Sequence, residues 1–262
     1  MHALRHVRCM RVMTYETRIE MAAAAAEYAA SRIRQLLREN ETVNAMFAAA
    51  PSQDEFLDAL VGEPDVCWNR VRAFHMDEYV GLPGCSEQGF AAYLDNRVFS
   101  RLPFRETHYI LSSMSQDPRE ACDQFGELLE SHPLHIVCMG IGENGHIAFN
   151  DPGVADFADP CVVKIVKLDP ECRQQQVNDG WFSSLESVPR DAITVTVPTL
   201  MSAREIVCVV PGSRKRRAVQ RTLEGAMTTR CPASVLRRHR SVALFLDMES
   251  ASEIMKNGLE VE

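Results

Sequence analysis

The sequence of 262 residues has no Cys-x-x-Cys pair, no internal repeat, and no apolar run near the ~20 residues that a membrane-spanning helix needs. Its nine cysteines are scattered, and several lie in apolar runs where a thiol packs as a small hydrophobe. We therefore expect reduced cysteines in a cytoplasmic protein. Basic residues are also fewer than acidic residues, which gives a net charge of −8. This balance disfavours nucleic acid or an anionic membrane as the main partner.

The remaining composition, 46% apolar and 24% charged, is that of an ordinary globular protein. Residues 1–13 are basic and contain no acidic residue, which indicates a disordered extension. Residues 14–262 contain no Pro/Gly-rich linker that would mark a second domain, so we predict a single domain there. Its first segment, 14–39, is rich in alanine with leucines and arginines at helical spacing, which predicts a long first helix.

Short apolar runs follow, several of them continuous rather than alternating, as in strands buried on both faces of a parallel sheet. They lie at 43–50, 71–76, 135–139, 162–168, 193–197, 206–210 and 242–246. Helical stretches separate many of them, for example 88–101, 118–131 and 214–224. This alternation predicts an α/β fold: an open, mostly parallel sheet with helices on both faces, in three layers.

The longest glycine-containing motif follows one of these runs, at the edge of the sheet where ligands bind in such folds. Segment 140–153, GIGENGHIAFNDPG, contains the string Gly-x-Gly-x-x-Gly. A dinucleotide fingerprint would open a helix of several turns, whereas Pro152 and Gly153 follow Gly145 within eight residues. A compact loop that holds His146 beside an amide and a carboxylate fits better, and such a group could transfer protons. The alternative is a glycine turn with an incidental histidine.

Two adjacent carboxylates, Asp77 and Glu78, follow the run 71–76. Neighbouring side chains on an extended chain point to opposite faces, so one of the two is expected to face the cleft. The pattern does not select between them. Both could instead be solvated or cap the next helix.

Two further strand ends lead into polar turns. After 206–210 comes PGSRKRR, with Ser213 predicted as the N-cap of the next helix. The helix dipole disfavours cations in a first turn, so the cluster from Arg214 favours a bound phosphate over a solvated basic face. After 43–50, Ser52 and Glu55 have the spacing of a capping box, which predicts a second helix N-terminus at this edge. Its N–H groups could serve the helix alone or bind the same phosphate.

Three segments together resemble the glucosamine-6-phosphate deaminase/isomerase family: 75–82 (HMDEYVGL), 140–152 and 212–215 (GSRK). They occur in the family's order and at similar separations, and the resemblance covers roughly residues 14–249. It implies a Rossmann-like sheet and the conversion of glucosamine 6-phosphate and water to fructose 6-phosphate and ammonia. It also implies that the reaction needs no metal or redox cofactor.

The resemblance implies roles for individual residues. Asp77 matches the carboxylate that moves a proton between C2 and C1 of the open-chain sugar, and His146 matches the imidazole that assists ring opening. Asp151 matches the acid that supports this histidine, and Asn144 matches a position that is aspartate or asparagine in the family. Lys215 matches the phosphate-binding lysine. The other residues assigned to substrate or phosphate binding are Ser52, Gly142, Gly145, Arg173, Gln176, Ser213 and Arg214.

One departure from the family pattern concerns the supporting acid. Asp151 is one methylene shorter than the usual glutamate, so its carboxylate must sit closer to His146 or act through water. Efficient ring opening depends on which of these holds.

Two more departures concern the phosphate. Residues 48–53, AAAPSQ, replace a glycine-rich loop and lose an N–H at Pro51, so phosphate binding is expected to depend more on Ser52 and the turn 214–215. The family's phosphate-contacting arginine has two candidate matches, Arg173 and Gln176.

Two other functions stay open. A 6-phosphogluconolactonase-like hydrolase would share the fold and a similar loop, but it lacks the Phe-Asn-acid-Pro continuation found at 149–152. A non-catalytic sugar-phosphate sensor would bind the ligand without turnover. For the deaminase, the expected partner is a phosphorylated amino sugar, and a homo-oligomer is possible.

Overall fold

The computed structural model describes residues 3–7, 10–82, 86–110 and 117–256. Within these residues, every helix is too short or too polar to cross a membrane.

Eleven strands and eight α-helices alternate along the described chain. The strands are β1 (Ala3–Val7), β2 (Met10–Tyr15), β3 (Val43–Phe47), β4 (Val71–His75), β5 (Asp77–Tyr79), β6 (Glu106–His108), β7 (Ile136–Met139), β8 (Val163–Lys167), β9 (Asp191–Val195), β10 (Glu205–Val210) and β11 (Val242–Asp247). The helices are α1 (Arg18–Glu39), α2 (Asp54–Val61), α3 (Phe90–Leu94), α4 (Pro118–Ser131), α5 (Pro170–Asn178), α6 (Val197–Met201), α7 (Arg216–Glu224) and α8 (Ser252–Lys256). A π-helix, Asp95–Phe99, continues α3, and 3-10 turns lie at Pro51–Gln53, Trp68–Arg70, Ser213–Lys215 and Pro232–Arg238.

The central sheet has the strand order β1-β2-β11-β10-β7-β3-β4-β6. All neighbours pair in parallel except β1 and β2, which are antiparallel. Alternate strand residues contribute to two separate hydrophobic clusters: Ala243 and Phe245 of β11 belong to one, and Val242, Leu244 and Leu246 to the other. Helices therefore cover both faces, which confirms the mostly parallel, three-layer α/β fold.

Two of the predicted strands, β8 and β9, do not belong to the central sheet. β8 and β9 pair antiparallel with each other and β9 with β5, forming a second sheet of order β5-β9-β8. The reason lies in β8, where Ile165 and Lys167 lie on the same face of the strand and are both exposed. A strand with an exposed face does not suit the centre of a parallel sheet, which is covered on both faces.

The prediction of a disordered extension over 1–13 is wrong for residues 3–7 and 10–13. These residues form β1 and the start of β2, which lies beside β11 with Met10 opposite Val242. Met10 and Val12 are buried, so their alternation supplies a hydrophobic face to the sheet. That residues 14–262 form a single domain stays a prediction.

The helix starts also differ from prediction in two places. Ser52 and Glu55 form no capping box, because residues 51–53 make a 3-10 turn and Glu55 pairs with Arg18 at 2.7 Å instead. Ser213 is not an N-cap either, since Gly212 precedes that turn with φ of 90° and α7 begins at Arg216. The long first helix does form, with Thr17 and Glu20 as its capping box.

Candidate active site

A cleft opens where β3, β4, β7 and β10 end, and its empty volume is about 490 Å³ including the part open to solvent. Six of the predicted site residues line it: Ser52, Asp77, Gly142, His146, Gln176 and Lys215. The carboxyl ends of four parallel strands thus bring together residues from four segments of the chain, and α5 adds Gln176.

Asp77, and not Glu78, faces this cleft. Glu78 points the other way, where its carboxylate accepts hydrogen bonds from the backbone N–H groups of Tyr79, Phe90 and Ala91 and so holds the start of α3. Asp77 is 6% exposed, and its Oδ1 has no hydrogen-bond partner among the described residues. Burial raises the pKa of Asp77 well above its usual value, and the nearby carboxylates of Glu78 and Asp151 raise it further.

The glycine loop after β7 presents His146 to the cleft. The backbone N–H of Gly142 donates to the carbonyl of His146 at 2.9 Å, which folds the loop back on itself. A Cβ at Gly142 would overlap the imidazole ring, so only glycine leaves room for this histidine. Gly145 has φ of 94°, packs against Cys231 and is not among the residues that line the cleft, so its place among the binding residues stays a prediction.

Behind His146 lies a buried polar cluster. Nδ1 of His146 lies 2.9 Å from Oδ1 of Asp151, within ion-pair distance. Asn144 donates from Nδ2 to the same oxygen at 3.0 Å and accepts the His146 backbone N–H through Oδ1. Asn144 therefore orients both partners from outside the cleft lining.

Asp151 is held from several sides. Its Oδ2 accepts the Asp169 backbone N–H at 3.1 Å, and the Cys172 thiol is hydrogen-bonded to it. Burial opposes ionisation of Asp151, but attraction to His146 and the hydrogen bonds from its neighbours outweigh burial, so its pKa lies below the usual value. Asp151 is thus an anion beside His146, whereas Asp77 holds a proton more readily.

Lys215 contributes a buried positive charge to the cleft. It is 7% exposed, and no carboxylate of the described residues lies within ion-pair distance of it. Burial lowers the pKa of the ammonium, while the more distant carboxylates of Asp179 and Glu143 oppose this shift. An unpaired ammonium at the cleft is suited to an anionic group of a ligand.

Three other residues predicted for phosphate binding lie elsewhere. Arg214 is half-exposed and pairs with Glu143 and Asp179, and Ser213 is outside the cleft lining. Arg173 points away from the cleft and donates to the carbonyl oxygens of Leu185 and Val188. Both arginines thus have partners outside the cleft lining, and of the two candidates for the phosphate-contacting position it is Gln176 that lines the cleft. The assignment of Ser213, Arg214 and Arg173 to phosphate binding stays a prediction.

Several residues of the cleft were not predicted. Phe90 and Phe149 form an apolar wall, with ring centroids 5.5 Å apart. Gln53 donates to the Val209 carbonyl, and Gln175 accepts the Glu143 backbone N–H at 2.9 Å. The glutamine run 174–176 was a visible signal for Gln175, while Phe90 lies on α3, after β5, and no local pattern marked it.

The chain matches known proteins over most of its length. Residues 16–245 match the model of a family described as glucosamine-6-phosphate isomerases/6-phosphogluconolactonase. The glucosamine-6-phosphate deaminases of Bacillus thuringiensis (strain Al Hakam) and Bacillus anthracis (strain A0248) are each 33% identical over 243 residues, which is 93% of this chain and 88% of theirs.

Solved structures agree on the fold. A monomeric glucosamine-6-phosphate deaminase superposes with a TM-score of 0.83 at 27% identity, covering 92% of this chain and 98% of that one. A 6-phosphogluconolactonase from Thermotoga maritima superposes with a TM-score of 0.72 at 18% identity, covering 91% and 99%. The chain therefore belongs to the glucosamine-6-phosphate isomerase/6-phosphogluconolactonase family.

Proposed function

We propose that the protein is an amino-sugar-phosphate deaminase that converts glucosamine 6-phosphate and water to fructose 6-phosphate and ammonia. The observation that carries this proposal is the Asp77 carboxylate, which is buried at the cleft with Oδ1 unpartnered among the described residues. Moving a proton between two adjacent carbons needs one base of this kind, whereas lactone hydrolysis does not. The names of the 33% identical relatives support the same reaction.

The phosphate would bind at the Lys215 end of the cleft. Lys215 supplies the charge, and the Ser52 hydroxyl and Gln176 amide line the same cleft and can donate hydrogen bonds. Fixing the phosphate holds the sugar so that C1 and C2 reach Asp77.

Ring opening is the task that suits His146. The imidazole moves a proton between the C1 hydroxyl and the ring oxygen, which yields the open-chain aldehyde. Asp151 stabilises the imidazolium that forms during the transfer, and Asn144 holds Asp151 in position beside His146.

Asp77 then takes the proton from C2 of the open-chain aldehyde while the C2 ammonium group gives a proton to the C1 oxygen, which yields an enol that retains the amino group. Return of the proton to C1 leaves an imine at C2. Addition of water to the imine and loss of ammonia give fructose 6-phosphate. The raised pKa of Asp77 suits this work, because the carboxyl must accept and release the same proton.

Ammonia release from glucosamine, galactosamine and mannosamine 6-phosphates tests the proposal, with 6-phosphogluconolactone hydrolysis assayed in parallel. We expect ammonia from glucosamine 6-phosphate. Lactone hydrolysis without ammonia would contradict the proposal in favour of the lactonase. Tight sugar-phosphate binding without turnover would contradict it in favour of a sensor.

A further inference from the structure

Three potential metal ligands converge behind the cleft. One ligand atom each from His146, Asp151 and Cys172 lies within 4.8 Å of the others. No other group of three such side chains occurs among the residues that the structure describes. The proposed deamination uses the imidazole and the carboxylate directly, whereas the thiol only contacts that carboxylate.

The donor set suits zinc. Imidazole nitrogen, carboxylate oxygen and thiolate sulfur are its protein ligands, and donors bound tetrahedrally at about 2.0–2.3 Å lie roughly 3–4 Å apart. The present spacing needs only a small closure of the side chains to reach that geometry. A thiolate and a carboxylate also neutralise the two positive charges of the ion, which favours binding in a buried place.

His146 has a nitrogen available for such an ion. Its Nδ1 is buried and lies 2.9 Å from Oδ1 of Asp151, so the imidazole nitrogen and the carboxylate already face each other. Because two ligands of one zinc ion lie roughly 3–4 Å apart, this separation needs only a small adjustment to admit the ion.

The other two ligands are held in position by their neighbours. Asn144 and the Asp169 backbone N–H fix the Asp151 carboxylate at 3.0 and 3.1 Å. Cys172 sits in the first turn of α5, whose N-cap is Asp169. Outer partners of this kind strengthen metal sites because the ligands need little reordering on binding.

We propose that His146, Asp151 and Cys172 bind Zn²⁺ in a site that inhibits the enzyme. The ion enters through the cleft, which His146 lines, and binds the imidazole and the carboxylate that ring opening requires. Binding replaces the thiol proton, which leaves to solvent, and water or a sugar hydroxyl completes the coordination. Only the inhibition rests on the proposed function, since metal binding does not depend on it.

Titration of the full-length protein with Co²⁺ tests the site without an activity assay. We expect one equivalent to bind and to give the near-ultraviolet charge-transfer absorption of a cobalt–thiolate bond. This absorption should be lost in Cys172→Ala and in His146→Gln. It should persist in Cys161→Ala, which removes an exposed thiol outside the cluster. Absorption that survives in Cys172→Ala, or no absorption in the wild type, would overturn the proposal.

Inhibition by Zn²⁺ is the second measurement. We expect Zn²⁺ to inhibit ammonia release reversibly, with chelator restoring it. Cys172→Ala should weaken inhibition by at least about tenfold, the loss that even an outer partner of a metal site causes. Equal inhibition of the wild type and Cys172→Ala would refute the site. Melting curves show whether Cys172→Ala is folded, and Cys172→Val replaces it if not. An inactive wild type that still binds Co²⁺ through Cys172 would refute the proposed function alone.

Discussion

Oδ1 of Asp151 lies 2.9 Å from Nδ1 of His146. The shorter carboxylate therefore reaches the imidazole directly and does not need a bridging water. It does so because Asn144 and the Asp169 backbone N–H hold both carboxylate oxygens in place.

Asp151→Glu should lower turnover, although the family resemblance implies a glutamate at this position. Asp151 is only 1% exposed, so its surroundings leave no free space for a longer side chain. The added methylene extends the side chain by about 1.5 Å, and the carboxylate must therefore displace His146 or lose its hydrogen bonds. Steady-state kinetics with glucosamine 6-phosphate measure the effect. Turnover equal to the wild type would mean that the pocket adapts to either acid.

Glu78→Gln should move the acid limb of the kcat/KM profile to lower pH. Asp77 must be ionised to accept the C2 proton, so activity falls as pH drops through its raised pKa. Burial is the main cause of the raised pKa of Asp77, and the charge of Glu78 is the second. Removing that charge lowers the pKa of Asp77, so the acid limb moves to lower pH. A limb that stays in place or moves upward would contradict the role of Asp77. Because Glu78 also holds the start of α3, the profile is measured well below the variant's Tm.

Lys215→Ala should weaken substrate binding, whereas Arg173→Ala should weaken only the stability of the fold. Losing a charge-assisted contact worth about 1.5–3 kcal/mol raises KM for the phosphorylated sugar roughly 10–100-fold, with a smaller change in kcat. Arg173→Ala instead removes hydrogen bonds to the 185–188 segment, so it lowers Tm and leaves KM unchanged. A raised KM in Arg173→Ala, or an unchanged KM in Lys215→Ala, would reverse the assignment of the phosphate end.

Gly142→Ala should reduce turnover because its Cβ would overlap the His146 ring. Gly126→Ala is the matched control: it lies inside α4, its Cβ would meet Val162 at an ordinary 3.8 Å, and alanine there should add about 0.5–1 kcal/mol of stability. Full activity in Gly142→Ala would mean that the loop moves freely and that His146 needs no fixed position.

The parallel sheet followed from the sequence because its strands are continuous apolar runs, buried on both faces. β8 was assigned to the wrong sheet because a short, mostly apolar run does not reveal that Ile165 and Lys167 lie on a face open to solvent. At the site, the strand ends indicated the segments that hold Asp77, His146 and Lys215, and the family resemblance selected these residues within them. The sequence could not show that Arg173 and Arg214 lie outside the cleft lining, because the carbonyls and carboxylates they contact come from distant segments. No sequence pattern marked Cys172 as a metal ligand, since a buried thiol in a helix has the same sequence pattern whether it packs in the core or binds a metal ion.

Asp77→Asn is the most direct test of the central claim, that this carboxylate carries the proton between C2 and C1. Ammonia release from glucosamine 6-phosphate is measured for wild type and variant, with melting curves to show that both are folded. We expect turnover to fall by about 10²–10⁴-fold, the contribution of a positioned acid–base group. Wild-type turnover in a folded Asp77→Asn would contradict the account.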